Sequence, residues 1–295
     1  MKKTITLLAL CLIGTLSLAQ APVLQWQKCL GGTSDDIAQS IQPTPDGGYI
    51  LAGQSSSNNG DVSGNHGSAD AWIVKINSTG SLQWQKALGG TSNDGASSIQ
   101  PTPDGGYIVA GYTASTNGDV TGNHGGGDNW VVKLSSTGSL QWQKALGGTS
   151  SDWALSTQPT PDGGCIVAGF ANSTNGDVTG NHGNGDAWVV KLSSTGSLQW
   201  QKSLGGTGED MADSIQPTPD GGYIMAGYTT SSNGDVTGNH GGRDAWVVKL
   251  SSTGNLQWQK CLGGTSREDN SSIQPTSDGG YIMAGSTVSI NGDVI

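Results

Sequence analysis

Short runs in which apolar or β-branched residues alternate with polar ones recur along the whole chain. None continues with a 3.6-residue period for ten residues, so the pattern predicts strands and no helix. Residues 82–146 show the unit. SIQPT and YIVAG are separated by Pro103, Asp104, Gly105 and Gly106, a tight reversal signal. NWVVKL leads through SSTGS, with Gly138 available for positive φ, into LQWQKAL. Valine, isoleucine, tyrosine and tryptophan dominate these runs, as half-buried pleated surfaces favour. Each unit is therefore read as two hairpins, or four antiparallel strands.

The unit repeats. LQWQK begins at Leu24, Leu82, Leu140, Leu198 and Leu256, at a spacing of 58 residues with no insertion. A four-stranded unit repeated without linkers must bury its two faces against its neighbours, which a β-propeller does by radial stacking. The expected fold is all-β, a propeller of tandem four-stranded repeats over residues 20–295, with five blades of which the last is incomplete. A parallel β-helix is the alternative, and two reversals per unit argue against it. Naming the strands a to d from the axis outward makes SIQPT strand a, YIVAG b, NWVVKL c and LQWQKAL d. The a–b and c–d turns then lie on one face, and the long b–c loop and the d–a link on the other. Strand d carries Gln83, Gln85 and Lys86, polar residues suited to an exposed edge. There are five copies of d, a and b but four of c, marked by Trp72, Trp130, Trp188 and Trp246. The first LQWQK is accordingly expected to serve as the outer strand of the last blade, and the chain reads as cut short.

Composition adds a compartment. Lys2 and Lys3, an apolar run, and Ser17 and Ala19 ahead of a cut read as a secretory signal peptide over residues 1–19. No later run approaches the ~20 apolar residues of a membrane span. The expected product is secreted or on the cell surface, and monomeric. The net charge of −10 argues against a nucleic-acid partner, which needs a basic footprint. Beyond the signal, Cys29, Cys165 and Cys261 are an odd set and no disulfide framework; Cys29 and Cys261 in particular are expected not to pair. With 49 glycines and one phenylalanine, tryptophan must supply much of the core volume.

The strings PDGGYIVAGYT, NGDVTGNHGG, WVVKL and GSLQWQKALGGT, which run through residues 24–295, resemble the secreted β-propeller repeat proteins of Bacteroidetes-type bacteria. That resemblance implies export, in many members by type IX secretion with a C-terminal sorting domain. It implies no reaction.

Candidate chemistry is sparse. His66, His124, His182 and His240 sit one per repeat on separate b–c loops, too dispersed for a shared zinc site. Asn117, Asp119, Asn123 and Asp128 place four oxygen-bearing side chains within twelve residues, and the set recurs at Asn59/Asp61/Asn65/Asp70, Asn175/Asp177/Asn181/Asp186 and Asn233/Asp235/Asn239/Asp244. Calcium is the candidate cofactor for such a set, and turn-building by Asn and Asp is the favoured reading. Trp153 departs from the repeat: its counterparts are Ile37, Gly95, Met211 and Asp269, at the point where the d–a link enters strand a. This point lies near the mouth of the central channel, where a ligand-contacting position would vary in the same way; variation is ordinary in loops, and the unconstrained reading is favoured. Glu209, Glu268, Arg243 and Arg267 are the only members of their types and read as scattered over different loops, with no paired carboxylates at the channel. No serine or cysteine has a histidine and an acid at nucleophile spacing. The expected function is a non-catalytic interaction or surface-display module whose protein or glycan partner meets the b–c loop face. The alternative is a lectin with one site per blade, and a glycoside-acting enzyme ranks third.

Overall fold

The computed structural model describes residues 23–293; the expected signal peptide, residues 1–19, lies outside them. Every element is a strand. Blade one is formed by β1 (Asp36–Pro43), β2 (Tyr49–Ser55), β3 (Asp70–Ile76) and β4 (Leu82–Leu88). Blade two is formed by β5 (Asp94–Pro101), β6 (Tyr107–Thr113), β7 (Asp128–Leu134) and β8 (Leu140–Leu146). Blade three comprises β9 (Asp152–Pro159), β10 (Cys165–Ala171), β11 (Asp186–Leu192) and β12 (Leu198–Leu204). Blade four comprises β13 (Asp210–Pro217), β14 (Tyr223–Thr229), β15 (Asp244–Leu250) and β16 (Leu256–Leu262). β17 (Glu268–Pro275) and β18 (Tyr281–Thr287) form a fifth, two-stranded sheet. In each full blade the strands pair antiparallel in chain order, as a propeller requires. No helix among the described residues is long and apolar enough to cross a membrane.

The core lies between blades. Ile50, Ala52 and Ile73 of blade one close on Ile99, Tyr107, Val109, Trp130 and Val132 of blade two, and the same arrangement recurs at the later junctions. Strand d contributes a tryptophan to the following blade. Trp84 lies on Tyr107 at 5.9 Å between centroids, and a Cβ on Gly138 would come within 2.9 Å of its ring. The buried Lys133 donates to Thr102, Asp104 and the Leu134 carbonyl, tying strand c to the a–b turn. Burial alone would raise the Asp104 carboxyl, but bonds from Thr102, Lys133 and the Gly106 amide hold it at about 2.

The inner strands carry the feature that shapes the axis. Each has a bulge, in β5 between Ala96 and Ser98, that turns one extra residue toward the channel. Opposite it stands a glycine: a Cβ on Gly111 would lie 2.0 Å from the Gly95 carbonyl oxygen. Beyond the bulge, Ser40 accepts a hydrogen bond from the Ile99 amide at 3.2 Å, and Ser98, Ser156 and Ser214 do the same for the blades that follow them. Neighbouring inner strands are thereby clipped side by side around one axis.

The chain ends do not meet as expected. Residues 24–28 form no strand and do not complete the fifth sheet. Instead Trp26 packs with Val62, Trp72, Val74 and Ile76 of blade one and donates to the Ser78 carbonyl at 3.0 Å, as Trp142 does to Ser194. The reason is physical: a strand-d tryptophan always leans on the next blade, and this apolar contact forms without a strand c to pair with. Ile41 is 55% exposed where its equivalent Ile99 is 0%, and Ile282 is 64% exposed where Ile224 is 0%, so the junction between blades five and one is open. Cys29, Cys165 and Cys261 are all free thiols, the last two buried.

Candidate functional site

Most repeat positions carry the same residue in every copy, but a few change chemical class. Some lie elsewhere, such as Ser56, Ala114, Asn172, Thr230 and Val288 in the b–c loop, but five cluster at neighbouring strand ends: Asp35, Asn93, Ser151, Glu209 and Arg267; Ile37, Gly95, Trp153, Met211 and Asp269; Gln39, Ser97, Leu155 and Asp213; Gln54, Tyr112, Phe170, Tyr228 and Ser286; and Ala69, Gly127, Gly185 and Arg243. Residues from all five blades in this set line one cavity of about 670 Å³ at the b–c end of the channel, among them Gln39, Tyr112, Leu155, Asp213, Arg243 and Ser286. The backbone explains the convergence. The bulge aims Gln39, Ser97, Leu155 and Asp213 at the axis. Short parallel bridges, Ala69 to Asn93, Gly127 to Ser151 and Arg243 to Arg267, bring the ends of three b–c loops beside the next d–a link.

One wall of the mouth is charged. Arg243 lies over the Tyr228 ring at 3.7 Å, pairs with Asp269 at 3.0 Å and reaches Glu209 at 3.7 Å. Arg267 holds the other oxygen of Asp269 at 2.6 Å, and the Tyr228 hydroxyl donates to Glu209. Burial and that bond to Glu209 push the Tyr228 phenol far above its ordinary value. Burial also raises Asp269, but the two guanidiniums outweigh it and the carboxyl ends below its usual range. Asp213, at the bulge of β13, has no hydrogen-bond partner among the described residues. Burial and the Asp269 carboxylate push it up to about 6, against the pull of Arg243. The sequence reading of Glu209, Arg243 and Arg267 as scattered is thus overturned, because blades distant in sequence share an axis. Glu268 does sit apart, in the structural place held by Asp94 in blade two.

The other wall is aromatic. Trp153 is 45% exposed and stands 6.1 Å from Tyr112, whose hydroxyl donates to Gln54 at 3.2 Å. Gly95 makes room for this, since a Cβ there would lie 2.7 Å from the Tyr112 ring. Trp153, Tyr112 and Leu155 also line an adjoining cavity of about 380 Å³. The placement near the channel mouth agrees with the sequence reading of Trp153. A further signal in the sequence is that four other class-changing positions fall at the same strand ends.

The four residues read as a calcium set are placed differently. Asn117 accepts from the Thr91 amide and donates to the Thr91 hydroxyl, and Asp119 accepts from the Gly89 amide, so both are directed at the d–a link. Asn123 donates to the Thr113 carbonyl and accepts from the Gly125 amide. Asp128 is buried and takes the amide and Nδ1 of His124 on one oxygen, while its Oδ1 has no partner; the same oxygen is unpartnered in Asp70, Asp186 and Asp244. Burial raises the Asp128 carboxyl, with the bonds from His124 opposing. Nε2 of His124 faces Asp177 of the next blade at 3.9 Å. The loop therefore joins blades, and the four side chains are engaged in building it. Among the described residues no three His, Cys, Asp or Glu side chains form a metal-holding group. Between these loops and strand d, equivalent rim grooves of about 350 and 360 Å³ hold His124, Lys144 and Asp177, and His182, Lys202 and Asp235.

No family model matches the chain. The regulatory protein FlaEY of Caulobacter vibrioides is 26% identical over 197 residues, which are 60% of this chain and 20% of that protein, so the chain spans a fifth of that curated relative's length. Among solved structures, a protein of unknown function from Bacteroides caccae is 15% identical, covering 76% of this chain and 66% of its own at a TM-score of 0.42. BamB from Moraxella catarrhalis is 15% identical over 87% and 62% at 0.43. An α-L-arabinanase from Penicillium chrysogenum, solved with arabinobiose, is 12% identical over 86% and 78% at 0.49. The β-propeller assignment itself rests on the four-stranded sheets of this chain, their junctions and their shared axis.

Proposed function

We propose that this chain is a non-catalytic, exported interaction module that meets its partner at the channel mouth, in the centre of the b–c loop face. The observation that carries this reading is the contrast between a repeated framework and class-changing residues gathered from five blades at one cavity. Function on a shared scaffold resides in such grafted positions. Export is supported by Lys2, Lys3 and the apolar run that follows them. The non-catalytic part is supported by Asp269: both its oxygens are held by guanidiniums, so it is poorly placed to act as nucleophile or base beside Asp213.

A second reading, a lectin with one site per blade junction, is favoured by the two equivalent rim grooves. Photo-crosslinking separates the two. A benzophenone amino acid is placed at Trp153, at Lys144 in a rim groove, or at the exposed Thr253 on the opposite face, and the chain is incubated with the extracellular fraction of its producing bacterium. Adducts from position 153 alone support the mouth, and adducts from 144 alone favour the rim. Turnover of chromogenic glycosides that Asp213→Asn abolishes would replace the non-catalytic reading with an enzymatic one.

A further inference from the structure

The mouth offers three kinds of surface at once, and together they select a ligand class. The first is the indole of Trp153. The tryptophans of strand c, such as Trp130, Trp188 and Trp246, are buried in the junctions, whereas Trp153 is 45% exposed, with Tyr112 tilted against it, in the adjoining cavity that shares Ser97, Tyr112 and Leu155 with the larger one. A ring face exposed in this way attracts weakly polarised C–H groups and tolerates many orientations. The second is a set of polar groups without partners. The side chains of Gln39 and Asp213 line the cavity and make no hydrogen bond to any described residue. One is an amide that can donate and accept; the other, when ionised, only accepts. The third is a charge set that disfavours anions and offers a cation no free aromatic face. Glu209, Asp213 and Asp269 face Arg243 and Arg267, and both guanidiniums are already paired with Asp269, so no free cation awaits an anionic ligand. A cationic ligand would find the Tyr228 face already covered by Arg243. With anions disfavoured, the exposed ring and the unpartnered Gln39 amide favour a neutral molecule with an apolar face and many hydroxyls.

Resting on the reading of the mouth as the binding surface, we propose that it holds one neutral saccharide, a pyranose face stacked on Trp153 and hydroxyls bonded to Asp213 and Gln39. A hydroxyl donates to the Asp213 carboxylate, and the Gln39 amide both donates to and accepts from neighbouring hydroxyls. The ligand spans two adjoining cavities of about 670 and 380 Å³, joined along Ser97, Tyr112 and Leu155, each within the size range of small-ligand sites. The residues are unlike in each blade, so there is one such site per chain, in contrast to the rim grooves.

The test uses the full chain on an array of neutral and uronate-containing oligosaccharides, followed by calorimetric titration of the best neutral binder. Trp153→Ala and Asp213→Ala are compared with the rim double variant Lys144→Ala/Lys202→Ala, each checked for an intact cooperative melt. The expected result is saturable binding of neutral oligosaccharide at one per chain. It weakens about tenfold or more in each mouth variant, the loss typical of a central stacking or buried polar contact, and is unchanged in the rim variant. Preference for uronates, several ligands per chain, or binding indifferent to Trp153→Ala would overturn the proposal. A blank array with crosslinking from position 153 intact removes the saccharide and leaves the mouth as a protein-binding surface. A blank array with no crosslinking from that position removes both.

Discussion

Asp213 is the residue whose environment most opposes its charge. It lies at the bulge of β13 with Asp269 and Glu209 on the acidic side, Arg243 and Arg267 on the basic side, and the Tyr228 ring nearby. Its carboxyl is pushed from 3.8 up to about 6. The folded state therefore binds more protons than the unfolded state between those values, and ionisation of Asp213 destabilises the fold. That penalty is fully present above pH 6 and absent below about pH 3.8. A shift of this size corresponds to at most about 3 kcal/mol, and partial solvent access reduces it to about 2 kcal/mol. Asp213→Asn should raise the melting temperature by several degrees at pH 7. The gain should fade as pH is lowered toward 4. Equal melting temperatures at pH 7 would show that the carboxylate is well solvated. A residue that weakens the fold at neutral pH while lining the cavity is what a binding site requires and a scaffold position does not.

At the scale of strands and loops, the repeated elements hold together through carboxylates at their ends. Asp94 accepts from the Gly90 amide at 2.8 Å, the Ser115 hydroxyl at 2.6 Å and the Thr113 hydroxyl, and so fastens the d–a link to the end of β6. Asp94→Ala would leave several buried donors unpaired and should cost about 3 kcal/mol, measured by chemical denaturation. A loss under about 1 kcal/mol would mean that water replaces the carboxylate easily. The b–c loop gives a separate test. Asn117, Asp119 and Asn123 satisfy loop backbone and hydroxyl groups, so a chelator should leave the melting temperature unchanged. Calcium at about a hundredfold excess over its dissociation constant would instead stabilise by about 3 kcal/mol per site, a shift easily seen on adding back the ion. These elements were legible in the sequence because each depends on local signals: the alternating runs, the Pro-Asp-Gly-Gly turns and the 58-residue spacing. The bulge was not legible. It accompanies a close backbone approach, of Gly111 to the Gly95 carbonyl and of Gly53 to that of Ile37, which no hydrophobic pattern encodes.

For the whole molecule, the site depends on curvature. Asp213, Arg243 and Arg267 are far from Gln39 and Tyr112 along the chain and form one cavity because the inner strands are clipped in succession around an axis. The sequence showed that blades repeat, but the rotation between them arises from contacts across junctions, such as Ser98 with the Thr157 amide, that pattern alone does not reveal. The same limit explains the misplaced N-terminal segment: LQWQK was recognised as a strand-d motif, but the contact of Trp26 with blade one needs only an apolar surface. The central claim is that residues of blades one and four face each other across a single channel. Spin labels at Gln39→Cys and Asp213→Cys, with the native cysteines replaced, test this by pulsed electron resonance. The account predicts one narrow distance comparable to the width of the cavity both positions line, and shorter than that between exposed labels at Thr79 and Thr253 in the outer c–d loops of the same two blades. A long or broad distance between the inner labels, equal to or greater than the outer one, would mean that the blades run out along an open spiral, and would contradict the channel and the site built on it.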